Sequence, residues 1–228
     1  MTDSRLGAVL AETGPVLLDF DGPVTHLFID GRNRMVADLM RKALGPECQP
    51  SPEVWDTYDP LVVLRWSASH TPPQVQRAVD HASVLGEVQA ATVTEPTPGS
   101  VELLRVCQSA GRTVVIVSNN AEPAIRAYLD RFDLNDLVHG IAARTPGRPD
   151  LMKPHPDSIN RALELLQSDP SACAMVGDSV TDITVSKATG VRSIGYAKNP
   201  RRGQELMDAG ADALVDSITE LACAIANR

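Results

Sequence analysis

Aromatic side chains are scarce: Phe, Tyr and Trp make up 4% of the 228 residues. A chain so poor in flat rings lacks the platforms on which single-stranded nucleic acid stacks. Positive charge is in deficit too, with 21 Lys and Arg against 29 Asp and Glu and a formal net charge of -8. Such a surface repels a phosphate backbone at long range, so no nucleic-acid partner is expected. A small phosphorylated ligand is not excluded, because a local cation can invert the field inside a pocket. Cysteine is limited to Cys48, Cys107, Cys173 and Cys223, with no C-x-x-C pair. That pattern argues against a disulfide framework or a thiolate zinc site, and Cys107 and Cys173, set in apolar patterns, read as buried thiols. No apolar run is long enough to span a bilayer, so no membrane partner is expected. Residues 1–14 carry Asp3, Arg5 and Glu12 without an apolar core, so no signal peptide is visible and the expected location is the cytoplasm.

What the chain does have is a hydrophobic content of 43%, enough for one domain with an insertion or two small ones. Short apolar runs at Val16–Phe20, Thr113–Ser118, Val138–Ala142, Cys173–Val176, Val191–Tyr196 and Ala213–Val215 read as strands. Helical patterns separate them at Ser100–Ala110, Pro123–Phe132, Pro156–Gln167, Thr181–Thr189 and Arg202–Ala209. This alternation predicts an α/β fold with a doubly wound parallel sheet, whose chemistry gathers at the carboxyl ends of the strands. From about Thr25 to Glu95 the rhythm breaks into a helical stretch, with Asn33–Leu44, a Trp/Tyr-containing middle around Trp55–Trp66 and Pro73–Leu85. The expected division is therefore a core of residues 1–24 and 95–228, with 25–94 inserted as an all-helical unit over the active edge.

Four strand ends carry polar groups. Val16-Leu17-Leu18-Asp19-Phe20-Asp21-Gly22 places Asp19 and Asp21 on the same side of the pleat, because side chains alternate along a strand. Two acids held that close perturb each other, which is costly unless a cation or a reaction uses them. After the second strand, Ser118-Asn119-Asn120 offers a hydroxyl and backbone N–H groups able to hold phosphoryl oxygens, although Ser and Asn also favour turns for local reasons. Lys153 precedes Pro154, which holds it out of helical conformation and presents its ammonium from a loop. Gly177-Asp178-Ser179-Val180-Thr181-Asp182 sets two more carboxylates at a strand end and a first helical turn. Mg²⁺ favours such sparse, hard oxygen ligands, while Asp182 or Ser179 can equally cap the helix. A Ser179 nucleophile is rejected, since its histidine base would have to lie downstream and none follows His155.

Taken together, Asp19-Phe20-Asp21-Gly22, Ser118, Lys153-Pro154 and Gly177–Asp182 resemble, in order, the motifs of the haloacid dehalogenase superfamily of phosphotransferases. The resemblance covers essentially the whole chain. It implies a Rossmann-like core with a helical cap of the first type, as in phosphoglycolate phosphatases and β-phosphoglucomutases. It further implies that Asp19 is the nucleophile and Asp21 the general acid and base. Mg²⁺ would be held by Asp19, Asp21 through its carbonyl, Asp178 and Asp182, the last as ligand or orienting group. Ser118, Asn119 and Lys153 would bind the phosphoryl group. Asp21 argues against dehalogenase and phosphonate-cleaving members, which usually lack an acid there; the latter use a cap lysine, and Lys42 is the only lysine in the insertion. Pro23 departs from the aliphatic or threonine residue of many relatives.

The expected function is a Mg²⁺-dependent phosphatase acting on a small phosphorylated metabolite through an aspartyl-phosphate, as a monomer or homodimer. A phosphomutase and a non-catalytic ligand- or partner-binding relative are the alternatives. A signalling receiver domain fits less well, since there the lysine comes last. His26 and Arg65 are candidate specificity residues. Trp55 and Trp66 are expected in the cap interior, and Arg144 and Arg148 are loop arginines that approach the site or simply solvate.

Overall fold

The computed structural model describes residues 4–228. Its sheet consists of β1 (Val16–Leu18), β2 (Val114–Val117), β3 (Gly140–Ala142), β4 (Ala174–Gly177), β5 (Arg192–Tyr196) and β6 (Ala213–Val215). All neighbours are parallel in the order β3-β2-β1-β4-β5-β6. Strand β1 is buried on both faces, which is why Val16-Leu17-Leu18 is uniformly apolar rather than alternating. Leu17 packs on one side with Val115, Met175 and Ile159, whereas Val16 and Leu18 pack on the other with Ile116, Val176 and Leu104. The strand order reverses beside β1, and the crevice at that switch point is where open α/β sheets bind ligands.

Around the sheet lie α1 (Ser4–Glu12), α6 (Ser100–Ser109), α7 (Glu122–Arg131), α8 (Asp157–Leu166), α9 (Val180–Thr189), α10 (Pro200–Asp208) and α11 (Ile218–Ala226). Helices α1 and α11 were not foreseen, although both show helical spacing. Leu6, Val9 and Leu10 are buried on the first, and Ile218, Leu221, Ala222 and Ile225 on the second. Among the described residues, no helix is long and apolar enough to cross a membrane.

Between β1 and α6 the chain forms α2 (Arg32–Leu44), α3 (Pro52–Asp56), α4 (Pro60–His70) and α5 (Pro73–Ala91). These helices enclose their own apolar cluster, including Val36, Met40, Leu44, Val63, Leu64 and Val79. The helical middle expected around Trp55–Trp66 is made of two helices, because Pro60 starts a new one whose N-cap, Asp59, accepts the Leu61 N–H at 2.8 Å. Trp55 is exposed rather than interior, while Trp66 stacks on His70 with ring centroids 5.0 Å apart. Helix α5 runs on past Leu85 through Gly86, where a Cβ would meet Val36 Cγ2 at 2.9 Å. The glycine thus lets α2 and α5 approach.

The two connections to this helical unit lie side by side. Thr25 Oγ1 is 3.0 Å from Thr94 Oγ1 and donates to the Glu95 carbonyl at 2.8 Å. Thr94 Oγ1 donates to the His26 carbonyl at 2.9 Å, and Thr97 Oγ1 to the Gly22 carbonyl at 2.7 Å. Buried hydroxyls are satisfied here by the opposite connection, so neither can leave without exposing unpaired groups in the other.

Candidate active site

The end of β1 delivers Asp19 into the crevice, its N–H still bonded to the Val176 carbonyl of β4 at 2.9 Å. Lys153, almost wholly buried, brings its Nζ within 2.9 Å of Asp19 Oδ1 and 2.7 Å of Asp182 Oδ1, and donates to the Val117 carbonyl at 3.1 Å. A buried ammonium is costly unless paired and hydrogen-bonded, and this one has a partner for each proton. Burial opposes its charge, but Asp182 and Asp19 outweigh that and raise its pKa, so it is held as a cation. Asp19 is pushed well above the ordinary carboxyl range by burial and by Asp182 and Asp178, with Lys153 opposing. Asp21, whose Oδ1 accepts the Leu27 N–H at 2.8 Å, is raised to about 6 by burial and Asp178. Gly22 follows with φ 126°, and a Cβ there would sit 2.6 Å from Asp178 Cγ. Only a residue without a side chain lets the two acidic segments meet so closely.

Beyond β2, Ser118 Oγ donates to Asn120 Oδ1 at 2.9 Å and accepts the Asn120 N–H at 3.0 Å. The Asn119 amide accepts the Lys153 N–H at 2.8 Å and donates to the Lys153 carbonyl at 3.4 Å. The two expected phosphate-binding segments are thereby tied to each other. The Lys153-Pro154 peptide is cis. After β4, Asp182 is fully buried and does two jobs. Its Oδ2 accepts the Ser179 N–H at 3.1 Å in a reciprocal cap of α9, and its Oδ1 pairs with Lys153. Capping and charge pairing therefore coexist on one side chain.

These groups surround a cleft of about 280 Å³ lined by Asp19, Asp21, Ser118, Asn119, Asn120, Lys153, Asp178, Ser179 and Thr181, with Lys198 after β5. Phe28, Asp59 and Leu61 close it from the helical side. Lys198 escaped sequence analysis, yet its Nζ lies 2.6 Å from Asp178 Oδ2. His26 sits at the edge, 3.4 Å from Lys198 Nζ through Nδ1, and burial and that lysine lower its pKa. Arg65 is exposed, donates to the Lys153 carbonyl at 3.3 Å, and lines a separate groove with Met152, Pro154 and His155. Arg148 is exposed and paired with Asp150, whereas Arg144 is buried against Glu87.

The donor set is one for a cation. Asp19, Asp178 and Asp182 each present a carboxylate oxygen, all within 4.8 Å of one another. Three hard oxygens so close suit Mg²⁺, and the ammonium groups of Lys153 and Lys198 lie against the same carboxylates. The residues fit the ion.

A family model of haloacid dehalogenase-like hydrolases matches residues 16–190, from the first strand through the helix capped by Ser179. The chain belongs to this family. Among relatives, the probable phosphatase IndB of Dickeya dadantii is 30% identical over 127 residues, 54% of this chain and 53% of that protein, so this match spans about half of each. Hexitol phosphatase B of Escherichia coli K12 is 28% identical over 214 residues, covering 90% of this chain and 92% of that one. Among solved structures, a predicted phosphatase from Clostridium acetobutylicum superposes with a TM-score of 0.73 at 20% identity, covering 95% and 99% of the two chains. That likeness shows a shared fold over nearly the whole molecule.

Proposed function

We propose that the protein is a Mg²⁺-dependent phosphomonoesterase that hydrolyses a small phosphorylated metabolite through an aspartyl-phosphate. The observation that carries this reading is the Lys153 ammonium bridging Asp19 and Asp182, beside Asp21 with its pKa raised to about 6. A carboxylate paired with a cation in a small cleft is a nucleophile for an electrophile that itself brings negative charge. Asp19 would attack phosphorus as the bond to the leaving oxygen breaks, while Asp21 gives that oxygen its proton. Asp21, now a carboxylate, would take a proton from water as the water attacks the same phosphorus and frees Asp19. Ser118, Asn119 backbone groups and Lys153 would hold the non-bridging oxygens. Bound Mg²⁺, held by Asp19, Asp178 and the Asp21 carbonyl with Asp182 beside them, would screen the meeting of two anions. Residues 25–94 would act as a cap, placing Phe28, Asp59 and Leu61 over the leaving group and excluding water. The cleft lies at the small end of ligand cavities, which favours a metabolite over a macromolecule.

Incubation with a panel of phosphorylated metabolites is expected to release inorganic phosphate with Mg²⁺ and none with EDTA. Isomerisation of a sugar phosphate without release would replace the hydrolase by a mutase. Asp21→Asn should lower steady-state phosphate release by about 10²–10⁴-fold, the usual range for a lost general acid and base. With p-nitrophenyl phosphate, one equivalent of nitrophenol should still appear as a burst. That leaving group needs little protonation, but hydrolysis of the intermediate lacks its base. Absence of the burst would show that Asp21 acts before the first bond breaks.

A further inference from the structure

A second charge pair lies outside the cleft, and neither partner touches it. Glu87, in the last turns of α5, has a fully buried side chain, and Arg144, just beyond β3, is almost as deep. Arg144 Nη1 donates to Glu87 Oε1 at 2.8 Å and to the Asn119 carbonyl at 3.0 Å. The Arg144 N–H donates to the Asn120 carbonyl at 3.0 Å. Glu87 Oε2 accepts the Ala121 N–H at 2.6 Å, and Ser83 Oγ donates to Oε1 at 2.7 Å. The two side chains thus hold the Asn119 carbonyl and the Ala121 N–H on either side of Asn120, whose carbonyl bonds the Arg144 backbone, immediately after Ser118.

A buried ion pair is a poor source of stability, because desolvation offsets most of the attraction and apolar replacements often do as well. What this pair supplies is placement. One partner belongs to the inserted helices and the other to the core, and both close on the peptide groups that follow Ser118. We infer that Glu87 and Arg144 are positioning residues. They fix the segment Ser118–Asn120 so that its hydroxyl and N–H groups converge on a phosphoryl group, and they make that placement depend on how the inserted helices are seated. This rests on the function proposed above. Displacement of a binding group by about 1 Å costs on the order of 10²-fold in rate, so a rigid backing is functionally significant.

The test pairs melting curves with inorganic phosphate affinity, measured by calorimetry with Mg²⁺, and with kcat and KM for phosphate release. The variant Glu87→Gln keeps an amide for the Ala121 N–H and the Ser83 hydroxyl and leaves Arg144 its Asp80 partner. It is expected to melt within a few degrees of the parent while losing the charge that holds Arg144. Its phosphate affinity should fall at least tenfold, with kcat/KM falling about 10²-fold. Arg144→Lys retains charge but not the planar fork that reaches Glu87 and Asn119 together. It should lose phosphate affinity at an unchanged melting temperature, which a purely structural pair would not produce. Unchanged affinity in either folded variant overturns the inference, as does an affinity loss seen only where stability is lost in proportion. If the parent protein binds phosphate but releases none from any ester, the proposed function fails while the positioning role is still decided by affinity.

Discussion

Asp19→Asn is expected to lower phosphate release by roughly four to six orders of magnitude, the scale on which removing a covalent nucleophile acts. The amide keeps the shape of the carboxylate but cannot displace an alkoxide from phosphorus. Binding should survive, since Lys153 retains Asp182 at 2.7 Å and the Val117 carbonyl at 3.1 Å. The melting temperature in EDTA is expected to rise at neutral pH. Asp19 is held above its ordinary pKa by burial and by Asp182 and Asp178, so the folded state binds its proton more tightly than the unfolded chain does. Stability is therefore lost as pH climbs through that raised value, and an uncharged amide is spared the loss. Phosphate release by the variant near the parental rate, measured with freshly purified protein, would eliminate the covalent route. A lower melting temperature in EDTA would show that Asp19 contributes more to Lys153 than it suffers from its acidic neighbours.

Gly177→Ala should cost both stability and activity through a single added methyl group. A Cβ there would lie 2.4 Å from Asp182 Cγ and Oδ2. That carboxylate has nowhere to retreat, because Ser179 and Lys153 hold its two oxygens. Either α9 moves outward or Asp182 leaves Lys153. Overpacking of this kind costs about 1–3 kcal/mol, which is about 2–4 °C of melting temperature per kcal/mol in a chain of this size. Loss of the Lys153 contact should reduce kcat/KM by a further 10²-fold or so. The sign is informative, since alanine for glycine at a permissive site slightly stabilises by restricting the unfolded chain. Gly14, where a Cβ would meet nothing within 4 Å, is the control, and Gly14→Ala should melt at or just above the parent. Parallel thermal melts and steady-state kinetics on the two variants decide the matter.

The parts legible in the sequence were those carried by short-range pattern. Val16-Leu17-Leu18 reads as a doubly buried strand because β1 does sit between two neighbours, and the polar residues that end β1, β2 and β4 stand in the order the family resemblance gives. The structure gathers Asp19, Asp21, Ser118, Asn119, Lys153, Asp178 and Asp182 around one crevice. What escaped depended on partners distant in the chain. Lys198 looks like any surface lysine until Asp178 is found beside it, and Arg144 is an ordinary loop arginine until Glu87 faces it. The error at Trp55 has another source, since an indole is large enough to suggest an interior place yet here lies on a short helix with most of its surface in solvent. Helix α1 shows that period alone suffices only when it is sought, because Leu6, Val9 and Leu10 already carried it.

The central place of β1 also governs the order in which the molecule can assemble. Val16 pairs with Val114 on one side and Ala174 on the other, so both neighbours of the earliest strand emerge from the ribosome long after it. Pairing across such separations is slow, because the chain loses loop entropy before any contact repays it. Helices α2, α4 and α5, whose contacts are mutual and comparatively local, can form in the interval. Asp19 meets Asp178 only once β4 (Ala174–Gly177) has been made and docked, so a growing chain holds the two carboxylates apart until about three quarters of its 228 residues exist.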